Sequence, residues 1–152
     1  MNESIGRKYL PHDIPPNVIP NSEGEVFFIT INCATRGTNQ LAKTVVWSAI
    51  METLLLREAK GEVDVRLVLA MPDHLHGLFS FNGGRRMEDV MRDFKSWIAK
   101  GHGIAWQRDF FDHRLRGWES GYQKGEYIRE NPVRAGLVGV REEWEFVYER
   151  KR

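Results

Sequence analysis

Cysteine is nearly missing from this chain: Cys33 is the one thiol in 152 residues. An intramolecular disulfide is therefore excluded, and so is a cysteine-rich zinc site, because both need several thiols. Cys33 closes a strand-like run and reads as a small buried hydrophobe. Long apolar runs are missing too. No stretch approaches the 18 residues that a membrane-crossing helix needs, so no membrane partner is expected. The first residues are polar and proline-bearing rather than an apolar signal segment, which points to a soluble cytoplasmic protein. There is no internal repeat and no low-complexity tract, so the expectation is one domain over residues 1–152. Neither sign of charge is in excess: 22 basic and 21 acidic residues leave a net charge of +1. A global field for nucleic acid is thus excluded, although a local basic stripe is not. Such a stripe, or an ordinary mixed surface, is written into the segment from Arg85 to Arg116 and into the terminal Arg150-Lys151-Arg152.

What is present is enough to build a core: the chain is 41% hydrophobic, with 8 Phe, 5 Trp and 4 Tyr. Residues 1–24 hold Pro11, Pro15, Pro16 and Pro20 and read as an irregular arm. Glu25 to Cys33 is β-branched and aromatic, a strand. Asn39 to Ala59 has apolar residues at helical spacing and ends at Gly61. Val63 to Ala70 alternates, a half-buried strand, and a short Met71-Pro72-Asp73 link leads to a third strand from His74 to Phe81, antiparallel to it. Arg85 to about Lys100 is a second helix, with Met87, Val90, Met91, Phe94, Trp97 and Ile98 forming one apolar stripe. Trp106 to Leu115 holds a short fourth strand. Glu119 to Glu130 is a third helix, stopped by Asn131-Pro132. The aromatic tail (Trp144, Phe146, Tyr148) packs back on the body. The order implies an α+β fold: a ferredoxin-like split βαββαβ sandwich on a central antiparallel sheet, with an added C-terminal helix carrying Tyr127.

Chemistry concentrates at His74-Leu75-His76. On a strand, side chains at i and i+2 share a face, so both imidazoles can grip one divalent ion. Two protein ligands leave such an ion open, as catalysis requires. One His-x-His pair alone is weak evidence, and two partly exposed strand histidines is the commoner explanation. Tyr127 and Asn131, four apart, share a helix face. The tyrosine can attack phosphorus while Asn131 supplies a third ligand; Glu130 and Asp73 are rivals for that place. Taken singly, Tyr127 is most simply an amphipathic packing residue and Asn131 a helix terminator. Lys124, one turn before Tyr127, can hold a phosphate or assist ionisation of the phenol, or be a solvated surface lysine.

Three blocks resemble one family. Met71-Pro72-Asp73-His74-Leu75-His76, the run from Trp106 to Arg116, and Tyr127-Ile128-Arg129-Glu130-Asn131-Pro132-Val133-Arg134-Ala135-Gly136-Leu137-Val138 are similar, in that order, to the REP-associated tyrosine transposases, which are single-tyrosine HUH enzymes. Leu10-Pro11-His12 and Phe27-Phe28-Ile29-Thr30 fit as well. The chain is shorter than the family pattern after Val138. The resemblance implies that His74, His76 and Asn131 hold Mg²⁺ or Mn²⁺, and that Tyr127 is the nucleophile. It implies cleavage of single-stranded DNA at repetitive extragenic palindrome hairpins through a 5′-phosphotyrosine, by a nucleoid-associated monomer or homodimer. Lys124, His113, Arg114, Arg116, Arg7 and Lys8 are then candidate DNA contacts. Trp106, Phe110 and Phe111 are base-stacking or core residues. Two rival readings are a hairpin-binding module that does not cut, and a phosphodiesterase that uses water.

Overall fold

The computed structural model describes residues 25–81, 83–116 and 121–151. The irregular arm, with Arg7 and Lys8, lies outside the described residues. The elements run β1 (Phe27–Asn32), α1 (Thr44–Ala59), β2 (Asp64–Met71), β3 (His74–Ser80), α2 (Met87–His102), β4 (Phe111–Arg114), α3 (Gly121–Arg129), α4 (Asn131–Arg134) and β5 (Val147–Glu149). The sheet has the order β4-β1-β3-β2-β5, and every pairing is antiparallel. Its first four strands are the split βαββαβ arrangement expected from the sequence. β5 is an addition on the free edge of β2.

Alternation gives the sheet two unlike faces. Phe27, Ile29 and Ile31 of β1 and Leu75 and Phe79 of β3 point to one face, where Val46, Ile50 and Leu54 of α1 and Val90, Met91, Phe94 and Ile98 of α2 close the main core. A register shift between Val65 and Leu67 reverses the parity of β2. Beyond it Leu67, Leu69 and Met71 turn to the other face, where they pack with Leu78, Leu115 and Ile128. The histidines lie on this second face, under α3.

Several boundaries differ from expectation. α1 begins at Thr44, five residues later than predicted. The Asn39 side chain closes a local turn on Ala42 through two 3.0 Å hydrogen bonds, and the amides of Gln40 and Leu41 donate to Pro72 O. These bonds compete with helix. Trp97 is 64% exposed rather than part of the α2 stripe, because it falls at the stripe's margin. Asn131-Pro132 does not end the helical segment. The chain breaks at Glu130 and resumes as α4, with Pro132 in its first turn, where a missing N–H costs nothing. Among the described residues, no helix is long and apolar enough to cross a membrane.

Candidate active site

Register places the polar residues of the second face in one row. His74 lies opposite Asn32 and His76 opposite Thr30 on β1. The two imidazole rings meet edge to face with centroids 4.7 Å apart. Tyr127, on α3, stands over the same point: its ring centroid is 6.3 Å from that of His76. Phe28 packs against both, stacked on His76 at 5.5 Å and edge-on to Tyr127 at 6.1 Å. A groove of about 470 Å³ opens here, lined by Phe28, Thr30, Asn32, His76, Phe111, Asp112, His113, Lys124 and Tyr127.

Each histidine is held through Nδ1. His74 Nδ1 lies 2.9 Å from Asp73 Oδ1. Burial alone would raise the Asp73 carboxyl. Hydrogen bonds from Arg36, from the Gly37 amide and from His74 outweigh burial and keep it well below the usual carboxylate range. An ionised acceptor at Asp73 puts the proton on His74 Nδ1 and leaves the Nε2 lone pair for a ligand. Arg36 Nε donates to Asp73 Oδ2 at 3.0 Å and Gly37 N at 2.7 Å. His76 Nδ1 lies 2.9 Å from Thr30 Oγ1, a partner that suits either tautomer. Burial first, then the neighbouring His74 ring and the Arg134 guanidinium, push the His76 pKa down to about 3. Burial also lowers the pKa of His74, against the pull of Asp73. Both rings are thus neutral, the form that ligates metal.

That donor set fits a divalent ion: two neutral imidazoles, each with an Nδ1 partner of the kind that orients metal-bound histidine. Among the described residues, no three His, Cys, Asp or Glu side chains converge. Asp73 is taken up by Arg36, Gly37 and His74, and Glu130 lies 3.5 Å from Arg141. Asn131 opens α4, four residues beyond Tyr127, and its backbone carbonyl accepts from Ala135 at 3.0 Å.

The other predicted contacts divide. Lys124 lies over the Phe28 ring at 5.4 Å and, with His113 and Phe111, lines the groove. Arg114 does not reach it. Opposite Phe27 in register, Arg114 is buried on the main-core face and paired to Glu25 at 2.7 Å. Arg116 sits half-buried just beyond β4. Phe110 is core, and Trp106 packs on Phe94 while donating to Lys95 O at 3.0 Å. Part of the basic stripe is paired with carboxylates: Arg85 with Glu62 and Asp93, Arg86 with Glu88 and Asp89, and Arg92 with Asp89 and Asp93. Sequence reasoning passed over Thr30, Asn32 and Arg36 as site residues. Thr30 and Asn32 meet the histidines through long-range register and Arg36 through a loop that folds back on Asp73, so none leaves a local pattern.

A curated relative, the REP-associated tyrosine transposase of Escherichia coli K12, is 22% identical over 127 residues, covering 82% of this chain and 76% of the relative. The solved structure of a REP-associated tyrosine transposase bound to a REP hairpin superposes with a TM-score of 0.73 over 92% of this chain and 81% of that one, at 22% identity. The chain resembles the REP-associated tyrosine transposases in sequence and in fold. A candidate transposase from Deinococcus radiodurans R1 has a related fold, with a TM-score of 0.51 over 74% of this chain and 89% of that one at 12% identity. No family model matches the chain.

Proposed function

We propose that the protein cuts and rejoins single-stranded DNA beside a palindromic hairpin, as a strand transferase with Tyr127 as nucleophile. The observation that carries this reading is the convergence of His76 and Tyr127, from β3 and α3, on a single groove, with the His74 ring edge-on to that of His76. The relatives support the substrate class, since one of them is a transposase bound to a REP hairpin. His74 and His76, through Nε2, with Asn131 as third ligand, would hold Mg²⁺ or Mn²⁺. Such an ion, when bound, neutralises charge on the non-bridging phosphate oxygens. Tyr127 Oη attacks phosphorus, an O–P bond to the tyrosine forms, and the P–O3′ bond breaks. The phenolic proton passes to solvent and the departing 3′ oxygen takes one up, leaving a 5′-phosphotyrosine and a free 3′-hydroxyl. Phosphoester bonds are conserved, so attack by another 3′-hydroxyl reverses the step without ATP. Lys124 and His113 line the path of the strand, and Phe111 offers a face on which a base can stack.

The test is a denaturing gel of protein incubated with hairpin oligonucleotides and Mn²⁺. Wild type should give a band shifted by the mass of the DNA, and Tyr127→Phe should lose that band while keeping hairpin binding under native conditions. His74→Ala, His76→Ala or added chelator should also remove it. An adduct that persists in Tyr127→Phe assigns the nucleophile elsewhere. Binding or turnover without any adduct in the wild type would replace this reading by hairpin binding alone or by water-based hydrolysis.

A further inference from the structure

Arg134 is the residue beside Tyr127 that the proposed chemistry has not yet used. It ends α4, seven residues beyond the tyrosine. Helical side chains lean toward the N-terminus, so Arg134 reaches back across the break at Glu130. Its guanidinium carbon stands 4.3 Å from the centroid of the Tyr127 ring. Its Nη2 donates to the Tyr127 carbonyl at 2.7 Å. One side chain thereby holds both the ring and the backbone of the nucleophile.

The charge of Arg134 is the second observation. Its neighbours on this segment are spent on carboxylates: Arg129 on Glu126 and Glu149, and Arg141 on Glu126 and Glu130. Among the described residues, Arg134 has no carboxylate within ion-pair distance, and its bonds are those to Tyr127. A guanidinium carries five N–H donors in a planar fork. Packed on the ring and using one donor on the carbonyl, Arg134 keeps the others at its edge, and it is exposed. A planar cation with free edge donors matches the oxygens of a phosphodiester better than an ammonium does.

We propose that Arg134 binds the phosphate that Tyr127 attacks, holding the phenol in place with its face and the non-bridging oxygens with its edge. This rests on the strand-transfer reading above. The bonds made and broken are those already given; Arg134 adds charge-assisted hydrogen bonds that strengthen as negative charge builds on the phosphoryl oxygens.

The experiment measures two properties of the full-length wild type, Arg134→Gln, Arg134→Lys and the remote control Arg92→Gln. The first is binding of labelled oligothymidylate by anisotropy across a salt series. Loss of one phosphate contact on a single strand should reduce the salt slope by about 0.7 in Arg134→Gln, while Arg134→Lys and Arg92→Gln keep the wild-type slope. A merely structural arginine would not move that slope. The second is the rate of adduct formation with a hairpin oligonucleotide, expected to fall on the order of 10²–10³-fold in both Arg134 variants, as when one preorganised donor to a developing oxyanion is removed. An Arg134→Gln slope equal to wild type overturns the proposal. A wild type that forms no adduct defeats the strand-transfer reading instead, and the slope still decides whether Arg134 is a phosphate contact.

Discussion

On the proposed reading His74 and His76 ligate through Nε2, which requires the Nδ1 side to be held, and the partners found at Nδ1 are two residues outside the His-x-His motif. Asp73 holds His74 and is itself gripped by Arg36 and the Gly37 amide, whose φ of +89° suits glycine. Thr30 holds His76 across the β1–β3 pairing. Thr30→Val keeps the shape and removes the oxygen, leaving the buried His76 Nδ1 unpaired, a loss of about 1–3 kcal/mol. If Thr30 fixes the ligating tautomer, Mn²⁺ affinity measured by titration calorimetry should weaken roughly 10–100-fold with little change in fold. An unchanged affinity would assign Thr30 to packing alone. The motif itself was visible in the sequence because it is local. Thr30, Asn32, Phe28 and Arg36 were not visible as site residues, because they meet the histidines through pairings over forty-odd positions or through a loop that folds back. The parity of β4 was equally hidden. A four-residue strand is too short for alternation to say which face Arg114 takes, and it takes the buried one.

The elements themselves were readable wherever periodicity ran long enough: β1, β2, β3 and α2 stand within a few residues of their expected places. The failures fell where a few residues decide the outcome, at the turn before α1, at α4 and at the three-residue β5. Gly77, directly after the His pair, shows how a strand position is set by packing rather than by propensity. A Cβ built there would lie 2.3 Å from the Phe79 ring and 3.1 Å from Leu67 O. Phe79 is 1% exposed in the main core, so its ring can give way only against packed neighbours. Gly77→Ala should therefore overpack β3 and cost about 1–3 kcal/mol in urea unfolding. It should shift the midpoint rather than the slope of the transition. Unaltered stability would mean that the Phe79 ring relocates without cost, contrary to its burial.

At the scale of the whole molecule, the C-terminal tail fastens the helix that carries Tyr127. β5 seals the edge of β2, Ala70 N donates to Phe146 O at 2.9 Å, and Trp144 Nε1 donates to Ala70 O at 3.0 Å. From this edge Glu149 takes Arg129 of α3, with Arg129 Nε at 3.0 Å, and Arg141 takes Glu126 of α3 at 2.5 Å. Arg150 joins the tail to Glu58 at the end of α1 and to Asp64 of β2. The aromatic tail announced packing, and its strand was too short to announce itself. What no linear reading conveys is that this edge anchors α3 from outside the groove. Arg129 and Glu149 are partly exposed, so their pair is worth about 0.2–1 kcal/mol. In Arg129→Met, amide exchange across Gly121–Arg129 should accelerate by about 1.4- to 5-fold, the factor that such an energy implies. β1 and β3, buried beneath both layers, should exchange as before. If Tyr127 is the nucleophile, as proposed, adduct formation should fall with the protection of α3, since the phenol must be held within reach of the groove before any phosphate arrives. If α3 keeps its full protection without Arg129, the tail closes the sheet and does nothing for the tyrosine.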